Sequence, residues 1–241
     1  MVRRVSGAIV CAGVGLLLRS TGRDPAKLFG QSLRNGRPGG PVALTFDDGP
    51  SESSLRVLDV LSAFGVRATF FLCGFNVGRL RTVASEISRC GHEVGNHSYS
   101  HPNFHFRSAE FIRSELQRTQ MVIESAVGVR PRWFRPPFGL KWFGMAAAQK
   151  ELSLTRVLWT HGGSDWKDPA DAIAKQVTAS LSSGSIICLH DGRGLQAAPD
   201  IGQTIGALEL ILKYARDQGI RVGTVSDAVL EPAASAESYQ S

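Results

Sequence analysis

The chain has 241 residues, 43% of them apolar and 20% charged, a composition typical of one soluble globular domain that argues against two full domains. The net charge of +6 arises in residues 1–40, which carry seven Lys or Arg and one Asp. Residues 41–241 carry twenty basic and twenty acidic side chains, so the body of the protein is neutral. A nucleic-acid-binding surface on this body is not expected, because such surfaces are strongly basic.

The N-terminal segment resembles a secretory signal or a membrane anchor. Two arginines precede an apolar run, Val5–Leu18, and Arg19 follows it, which matches the charged and apolar regions of such signals. The run is shorter than the ~20 residues that a membrane span needs. We therefore expect residues 1–20 to direct export to the cell envelope or to associate with a membrane. A cytoplasmic chain is the alternative, because positive charges after the run resist translocation.

The rest of the chain divides into a linker, a domain body and a tail. Residues 1–40 hold the signal-like segment and a Gly-, Pro- and Arg-rich linker, the body spans 41–230, and the small polar tail 231–241 is expected to be disordered. Strand-like and helix-like segments alternate in the body, which predicts a parallel β/α architecture. The expected strands cover 42–46, 68–72, 92–96, 131–134, 155–159, 185–189 and 220–225. The expected helices cover 53–64, 78–90, 108–126, 141–150, 168–182 and 201–217, with Ser51, Ser108 and Asp168 as N-caps.

The body contains three cysteines, Cys73, Cys90 and Cys188. An odd number in these positions is not the pattern of a disulfide framework. Free cysteines are commonly buried and behave as small apolar residues. We therefore expect these three residues to lie in the core.

Five short motifs carry groups that transfer protons or bind metals, and each follows a predicted strand. Loops at the carboxyl ends of parallel strands meet on one rim of a β/α fold, which is where such folds place their active sites. The motifs are therefore expected to converge and to make this chain an enzyme. They are TFDDGP with Asp47 and Asp48, HSYSH with His97 and His101, RPPFG with Arg135, SDW with Asp165, and LHD with His190.

Two of these motifs have the composition of a metal site. His97 and His101 are four residues apart, a spacing that places both on one face if the segment is helical. Adjacent carboxylates repel each other, and a protein tolerates them where a metal neutralises one and the other is held for proton transfer. One carboxylate and two imidazoles leave coordination positions open for water and substrate. The alternatives are an incidental His pair and an ordinary Asp-Gly-Pro turn.

In this order, the five motifs resemble those of the polysaccharide deacetylases, the NodB-homology carbohydrate esterases. The resemblance extends from Pro41 to about Val229 and implies a distorted, incomplete (β/α) barrel with about seven parallel strands. It also implies that Asp48, His97 and His101 bind one divalent metal ion. Zn²⁺ suits these ligands, and Co²⁺, Ni²⁺ and Fe²⁺ are alternatives.

The resemblance implies roles for the remaining motif residues. It makes Asp47 the general base, Arg135 its orienting partner, His190 the general acid, Asp165 the partner that tunes His190, Trp166 and Leu189 the walls of the acetyl pocket, and the backbone N–H of Phe138 an oxyanion donor. One departure is Gly162, which stands where many members have the first Asp of an Asp-x-x-Asp-Trp motif. His105 and His161 are expected to be loop or subsite residues, and His92 and Trp159 are expected to be structural.

The function implied by the resemblance is metal-dependent removal of N-acetyl groups from an N-acetylated glycan, with release of acetate. Chitin oligomers and peptidoglycan are the expected substrates, and no nucleic-acid partner is expected. Three alternatives stay open on the same fold: an acetylxylan esterase, a small-amide or cyclic-imide hydrolase, and a catalytically silent carbohydrate-binding relative. The last alternative is disfavoured because no catalytic group is missing from the motifs. The sequence makes no prediction about the oligomeric state.

Overall fold

A curled sheet of parallel strands is the framework of the structure, a computed structural model that describes residues 29–162 and 164–230. Its strand order is β1-β6-β5-β4-β3-β2-β8-β7, with β9 paired to the start of β2. The strands found in the described ranges are β1 (Ser32–Leu33), β2 (Val42–Asp47), β3 (Thr69–Leu72), β4 (Glu93–Asn96), β5 (Trp133–Phe134), β6 (Thr155–Val157), β7 (His161–Gly162), β8 (Ile186–His190) and β9 (Val222–Gly223).

Within residues 29–162 and 164–230 the sheet does not close, because its edge strands β1 and β7 each pair with one neighbour and not with each other. This is the distorted, incomplete barrel that the resemblance to the polysaccharide deacetylases implies. All seven predicted strands are present. Strands β1 and β7 were not predicted, since two residues are too few to show a hydrophobic period.

Helices connect most successive strands. They are α1 (Ser54–Phe64), α2 (Gly74–Arg79), α3 (Arg81–Arg89), α4 (Ala109–Val127), α5 (Met145–Glu151), α6 (Ala170–Thr178), α7 (Gly202–Asp217) and α8 (Val225–Val229). The helix expected over 78–90 is two helices, α2 and α3. Helix α8 was not predicted, although Thr224 and Asp227 form a capping box at its start.

The predicted N-caps were right in one case of three. Ser108 caps α4, since its hydroxyl accepts a hydrogen bond from the Phe111 amide at 3.1 Å. The caps of α1 and α6 are instead Ser53 and Pro169. Ser51 is used elsewhere, because its hydroxyl donates to the Asp191 carbonyl oxygen.

The two faces of the sheet have different roles, and this difference positions the site. Leu44 and Phe46 of β2 point outward and pack against the surrounding helices in the main core. The alternate residues point to the concave face, where Ala43 lies in a smaller apolar cluster. Both faces of β2 are buried, as is usual for a parallel sheet covered by helices. Asp47 is the last residue on the inward face, at the rim.

The described part of the N-terminal lead-in, which was expected to be a linker or a loosely docked segment, is docked on the sheet. Strand β1 pairs with β6, and the fully buried Arg156 of β6 donates to the carbonyl oxygens of Phe29 (2.8 Å) and Gly30 (3.0 Å) and to the Ser32 hydroxyl. Burial and the charge of Arg34 lower the pKa of Arg156 to about 10. The ordered body therefore begins before residue 41.

The predicted signal or anchor and the predicted disordered tail lie outside the described residues. No described helix is long and apolar enough to cross a bilayer. Cys73 and Cys188 are buried as predicted, but Cys90 is exposed because it occupies the C-cap of α3 at the surface.

Candidate active site

The five motifs converge at one rim of the sheet, as the sequence predicts. They surround an open cavity of about 680 Å³ at the carboxyl ends of the central strands. The central pairing is that of β2 with β8, in which Asp47 and His190 are register partners. Because neighbouring strands are only about 4.8 Å apart, this register brings an acidic and a basic side chain to the same point of the rim.

Asp48, His97 and His101 form a candidate metal centre. The Asp48 Oδ1 atom lies 3.0 Å from His101 Nε2 and 3.3 Å from His97 Nε2. The ligating atoms lie within 4.8 Å of one another, so one ion can contact all three. His97 Nδ1 lies 2.7 Å from the Arg135 carbonyl oxygen, which assigns its proton to Nδ1 and leaves Nε2 for a metal. These residues therefore fit a divalent cation such as Zn²⁺.

The two imidazoles do not converge on a helix face, contrary to the helical interpretation of their spacing. His97 directly follows β4, and His101 lies in a loop. Asp48 and His101 have φ values of 73° and 51°, a left-handed conformation that is uncommon for residues other than glycine and is concentrated at functional sites. Tight turns, rather than a helical repeat, bring the ligands together.

Asp48 is anionic in this arrangement. Burial would raise the pKa of its carboxyl group, but hydrogen bonds and charges from His101 and His97 outweigh burial and hold the pKa well below its ordinary value. The second carboxylate oxygen, Oδ2, accepts a hydrogen bond from the Gly194 amide at 2.8 Å. This contact turns Oδ1 toward the two imidazoles.

The loop after β8 supports the candidate metal centre. The sequence did not predict this support. Asn76 donates to the Asp48 carbonyl oxygen (2.8 Å) and to the Gly194 carbonyl oxygen (2.9 Å). It therefore connects the loop after β2, which carries Asp48, to the loop after β8. Gly192 must remain small, because a Cβ atom there would lie 2.4 Å from the Asp48 carbonyl oxygen. The only sequence signal was the pair of glycines that follows LHD.

Glu115 of α4 holds the loop that carries His101. Its buried carboxylate accepts hydrogen bonds from the amides of Tyr99 (3.0 Å) and Ser100 (2.8 Å) and from the Ser100 hydroxyl (3.0 Å). Sequence reasoning missed this residue because a single Glu in an amphipathic helix ordinarily indicates a solvated face.

Asp47 is oriented by a buried arginine, as predicted. Arg135 Nη1 donates to Asp47 Oδ1 and to the Thr45 hydroxyl, both at 2.7 Å. Arg135 is fully buried, and its guanidinium lies 4.2 Å from the centre of the Phe71 ring. With Oδ1 occupied, Asp47 Oδ2 is the oxygen available to the cavity, 4.0 Å from His97 Nε2.

His190 is paired with Asp165, also as predicted. His190 Nδ1 lies 2.7 Å from Asp165 Oδ1, and the His190 amide donates to Asp165 Oδ2 at 2.8 Å. Burial would lower the pKa of His190, but the hydrogen bond and charge of Asp165, with the charges of Asp47 and Asp48, raise it to about 9. His190 is therefore protonated at neutral pH and can donate a proton.

The opening of the cavity is bordered by two exposed aromatic rings. Trp166 is 57% exposed, and its ring meets His190 edge-on with centroids 5.5 Å apart. Phe138 has a φ of 61° and places its ring 5.0 Å from that of His101. Two of the three residues predicted to contact substrate, Trp166 and Phe138, therefore line the cavity.

The structure corrects the prediction for Leu189. This side chain is fully buried in the main core on the outer face of the sheet, with Phe46. Successive residues of a strand point to opposite faces, so Cys188, and not Leu189, shares the inward face with His190. Cys188 lines the cavity, and its Sγ atom lies 3.4 Å from Asp47 Oδ2. Burial, with the charge of Asp47, raises the pKa of this thiol well above its ordinary value.

Trp159 lines the cavity as well, so the prediction of a purely structural role was too narrow. Its indole lies against Gly162, where a Cβ atom would be 3.2 Å from Nε1. The absence of a side chain at residue 162 thus leaves this wall open. His105 and His161 do not line the cavity, since His105 packs on Trp142 and His161 contacts Ser180.

His92 has the structural role predicted for it. Its Nδ1 atom accepts a hydrogen bond from the Ala68 amide at 3.2 Å, in the turn between α3 and β4. Burial, and to a smaller extent the charge of Arg67, lowers its pKa to about 4, so the ring is neutral.

Comparison with known proteins gives consistent matches. The sequence matches the polysaccharide deacetylase family over residues 34–157. A peptidoglycan-N-acetylglucosamine deacetylase of Bacillus cereus is 35% identical over 190 residues, which are 77% of this chain and 86% of that protein. Peptidoglycan-N-acetylglucosamine deacetylase PgdA of Listeria monocytogenes is 32% identical over 77% of this chain, but the match covers 38% of PgdA. Several relatives are therefore much longer than the matched region.

Solved structures of similar fold include one described as a deacetylase and one described as a pseudoenzyme. The crystal structure of a peptidoglycan N-acetylglucosamine deacetylase superposes with a TM-score of 0.78 and 30% identity, covering 83% of this chain and 94% of that one. A family 4 carbohydrate esterase pseudoenzyme from Bacillus anthracis superposes with a TM-score of 0.74 and 30% identity, covering 82% and 68%.

Proposed function

We propose that this chain, which belongs to the polysaccharide deacetylase family, is a metal-dependent hydrolase that removes N-acetyl groups from a peptidoglycan-type glycan and releases acetate. The observation that carries the proposal is the convergence in one cavity of a three-ligand metal set, an oriented carboxylate and a protonated imidazole. Peptidoglycan is preferred to chitin oligomers as the substrate because two similar proteins are named as peptidoglycan deacetylases. One is named for N-acetylglucosamine and the other for N-acetylmuramic acid.

Asp48, His97 and His101 would hold the metal ion in this proposal. Zn²⁺ is the first candidate for one carboxylate and two imidazoles, with Co²⁺, Ni²⁺ and Fe²⁺ as alternatives. The chemistry that a bound divalent ion supplies is polarisation of the amide carbonyl and a lowered pKa for water. The second carboxylate oxygen of Asp48 stays on the Gly194 amide and fixes the ligand in place.

Asp47 and His190 would move the protons. Asp47 Oδ2 accepts a proton from the attacking water, while Arg135 keeps Oδ1 occupied and the carboxylate in place. The oxygen of that water forms a bond to the acyl carbon, and the carbon–nitrogen bond breaks. His190 gives its proton to the departing nitrogen, without which an amine is a poor leaving group. The backbone N–H of Phe138 is the proposed donor to the oxyanion.

The completeness of these groups separates the proposal from a silent, glycan-binding role. The similar fold of a pseudoenzyme means that fold alone does not establish catalysis. In this chain, however, the residues proposed as ligands, base, acid and orienting partners are all present, and each contacts its proposed partner.

The test is acetate release by the full chain with and without a chelator, on peptidoglycan, N-acetylglucosamine oligomers and acetylxylan. We expect metal-dependent release from the N-acetylated glycans. Asp47→Asn should keep the metal and lose at least about 100-fold in rate, because it removes the base. His101→Ala should lose metal affinity. Asp59→Asn, at an exposed position of α1, is the matched control and should behave as wild type.

Other outcomes would overturn the proposal in different ways. Full activity of Asp47→Asn would remove Asp47 as the base. Release from acetylxylan alone would make the protein an esterase. Absence of release from every substrate, with the metal bound, would leave a small-amide or cyclic-imide hydrolase or a carbohydrate-binding relative.

A further inference from the structure

A thiol faces the two proton-transfer groups of the cavity. Cys188 and His190 lie on the same face of β8, two residues apart, and Asp47 lies beside them on β2. One carboxylate oxygen of Asp47, the Sγ atom of Cys188 and one ring nitrogen of His190 all lie within 4.8 Å of one another. None of these residues belongs to the Asp48–His97–His101 set.

For Asp47 and His190, contacts with other residues determine which atom remains available to bind an ion. Arg135 occupies Oδ1 of Asp47, which leaves Oδ2 next to the Cys188 thiol at 3.4 Å. Asp165 occupies Nδ1 of His190, which leaves Nε2. A carboxylate on the far nitrogen of a histidine is the usual support for a metal-binding imidazole.

The donor set selects a particular class of cation. Thiolate, imidazole and carboxylate together favour Zn²⁺ and softer ions such as Cd²⁺, whereas Mg²⁺ and Ca²⁺ prefer oxygen ligands only. The cavity is open to solvent, so an ion can reach the three atoms, and its remaining coordination positions can be filled by water.

The charges around Asp47, Cys188 and His190 determine how tightly these residues would bind an ion in comparison with the Asp48–His97–His101 set. Asp47 Oδ2 is 4.0 Å from His97 Nε2, so an ion here would be a close neighbour of one held by Asp48. Pairs of ions ~3.5–4 Å apart occur in hydrolase sites. The buried Arg135 guanidinium and the need for Cys188 and His190 to lose protons oppose binding, whereas the Asp165 carboxylate supports it. Occupation should therefore follow that of the first centre and tighten as the pH rises.

We propose that Asp47, Cys188 and His190 form a second, weaker metal site whose occupation by Zn²⁺ or Cd²⁺ inhibits the enzyme. A cation there takes the lone pair of Asp47 that would accept a proton and the nitrogen of His190 that would donate one. The inhibitory effect rests on the proposed deacetylase function, but the binding itself does not.

The test is a titration of the metal-free full chain with Zn²⁺ and with Cd²⁺, measured by calorimetry and by the ultraviolet charge-transfer band of a cadmium–thiolate bond. Cys11 and Cys90 are replaced by Ala throughout, so that Cys73 and Cys188 are the remaining thiols. We expect two equivalents, with a thiolate band that develops with the second. Cys188→Ala and Cys188→Ser should each bind one equivalent without the band, and Cys73→Ala is the matched control with a buried thiol.

Activity supplies an independent readout. Excess Zn²⁺ should inhibit acetate release by the parent, and Cys188→Ala or Cys188→Ser should raise the concentration for half-inhibition at least about tenfold, each variant being compared with its own maximum. One equivalent in the parent, or a second one that survives both substitutions, overturns the second site. Two equivalents in an inactive protein would support the site and refute the proposed function. A protein that is active with one bound equivalent of metal and is not inhibited by excess Zn²⁺ would refute the second site and support the proposed function.

Discussion

At the residue scale, each of the two proposed proton-transfer groups, Asp47 and His190, has one atom occupied by a partner and one atom left for chemistry. Arg135 takes one oxygen of Asp47, and Asp165 takes one nitrogen of His190. Such partners fix both the orientation and the protonation state of a catalytic group. The consequence is that the acid and the base have distinct identities even though they are strand neighbours.

The pH dependence of the reaction should report the His190–Asp165 pair. Because the proposed general acid, His190, must be protonated, the rate of the proposed reaction should fall as the pH rises toward and through about 9. Asp165→Asn removes the largest raising influence, so the fall should move toward the ordinary histidine pKa of about 6.5. The measurement is kcat against pH, with Asp168→Asn as the control. An unchanged alkaline limb would contradict the assignment of His190 as the acid.

The same pair has a defined effect on stability. The pKa of His190 in the folded protein is above its unfolded value, so its stabilising contribution is complete below about pH 6.5 and is lost as the pH rises through about 9. Urea unfolding measures this effect at both ends of the pH window. The wild type should have a higher free energy of unfolding than Asp165→Asn at low pH, and the two values should differ little above pH 9.

At the element scale, α4 is part of the site although none of its residues lines the cavity. Its Glu115 holds three polar groups of the loop that follows β4, and this loop carries His101 in a left-handed conformation. Hydrogen bonds from the loop to Glu115 thereby take the place of the backbone hydrogen bonds that a helix or strand would have.

Substitution of Glu115 should loosen the metal centre. Glu115→Gln removes the charge that accepts these hydrogen bonds, so we expect a metal affinity lower by about 10- to 100-fold and a loss of stability of about 1–3 kcal/mol. Calorimetric Zn²⁺ titration and urea unfolding measure the two effects. Glu124→Gln lies on the same helix in an exposed ion pair with Arg130 and should change neither by much. Equal behaviour of the two variants would show that α4 does not support the centre.

The sequence predicted the convergence of the motifs because strand ends on one rim follow from a local pattern and a general rule of β/α folds. It could not predict the contacts of Glu115, Asn76 or Gly192, since these join segments that are distant in sequence and have no periodicity of their own. The assignment of Leu189 was avoidable. Once His190 faces the cavity, strand alternation requires the residue two positions earlier, Cys188, to face it as well.

At the scale of the whole molecule, the edge of the sheet depends on the lead-in. Arg156 is fully buried and is held by acceptors from residues 29–32. Arg156→Ala would leave these acceptors without a donor and open a cavity beside β6. We expect a loss of about 2–4 kcal/mol in the free energy of unfolding, with metal affinity unchanged.

Urea unfolding and metal titration of Arg156→Ala test this dependence. Arg130→Ala, which removes an exposed ion pair with Glu124, is the control and should cost at most about 1 kcal/mol. A loss for Arg156→Ala no larger than that of the control would show that the lead-in contributes nothing to the sheet.

The central position of β2 also sets the order in which the site can be completed during synthesis. The three proposed metal ligands lie within residues 48–101, in the loops that follow β2 and β4, and β3 pairs with both of these strands. Asp47 meets His190 only after 143 further residues have been made. The three proposed ligands are therefore synthesised before Cys188, whereas Glu115 and Gly194, which hold them in place, follow later in the chain. The ligands of the proposed first centre are thus made before the thiol of the proposed second site, so an ion bound during synthesis would meet the first set of ligands before the second is complete.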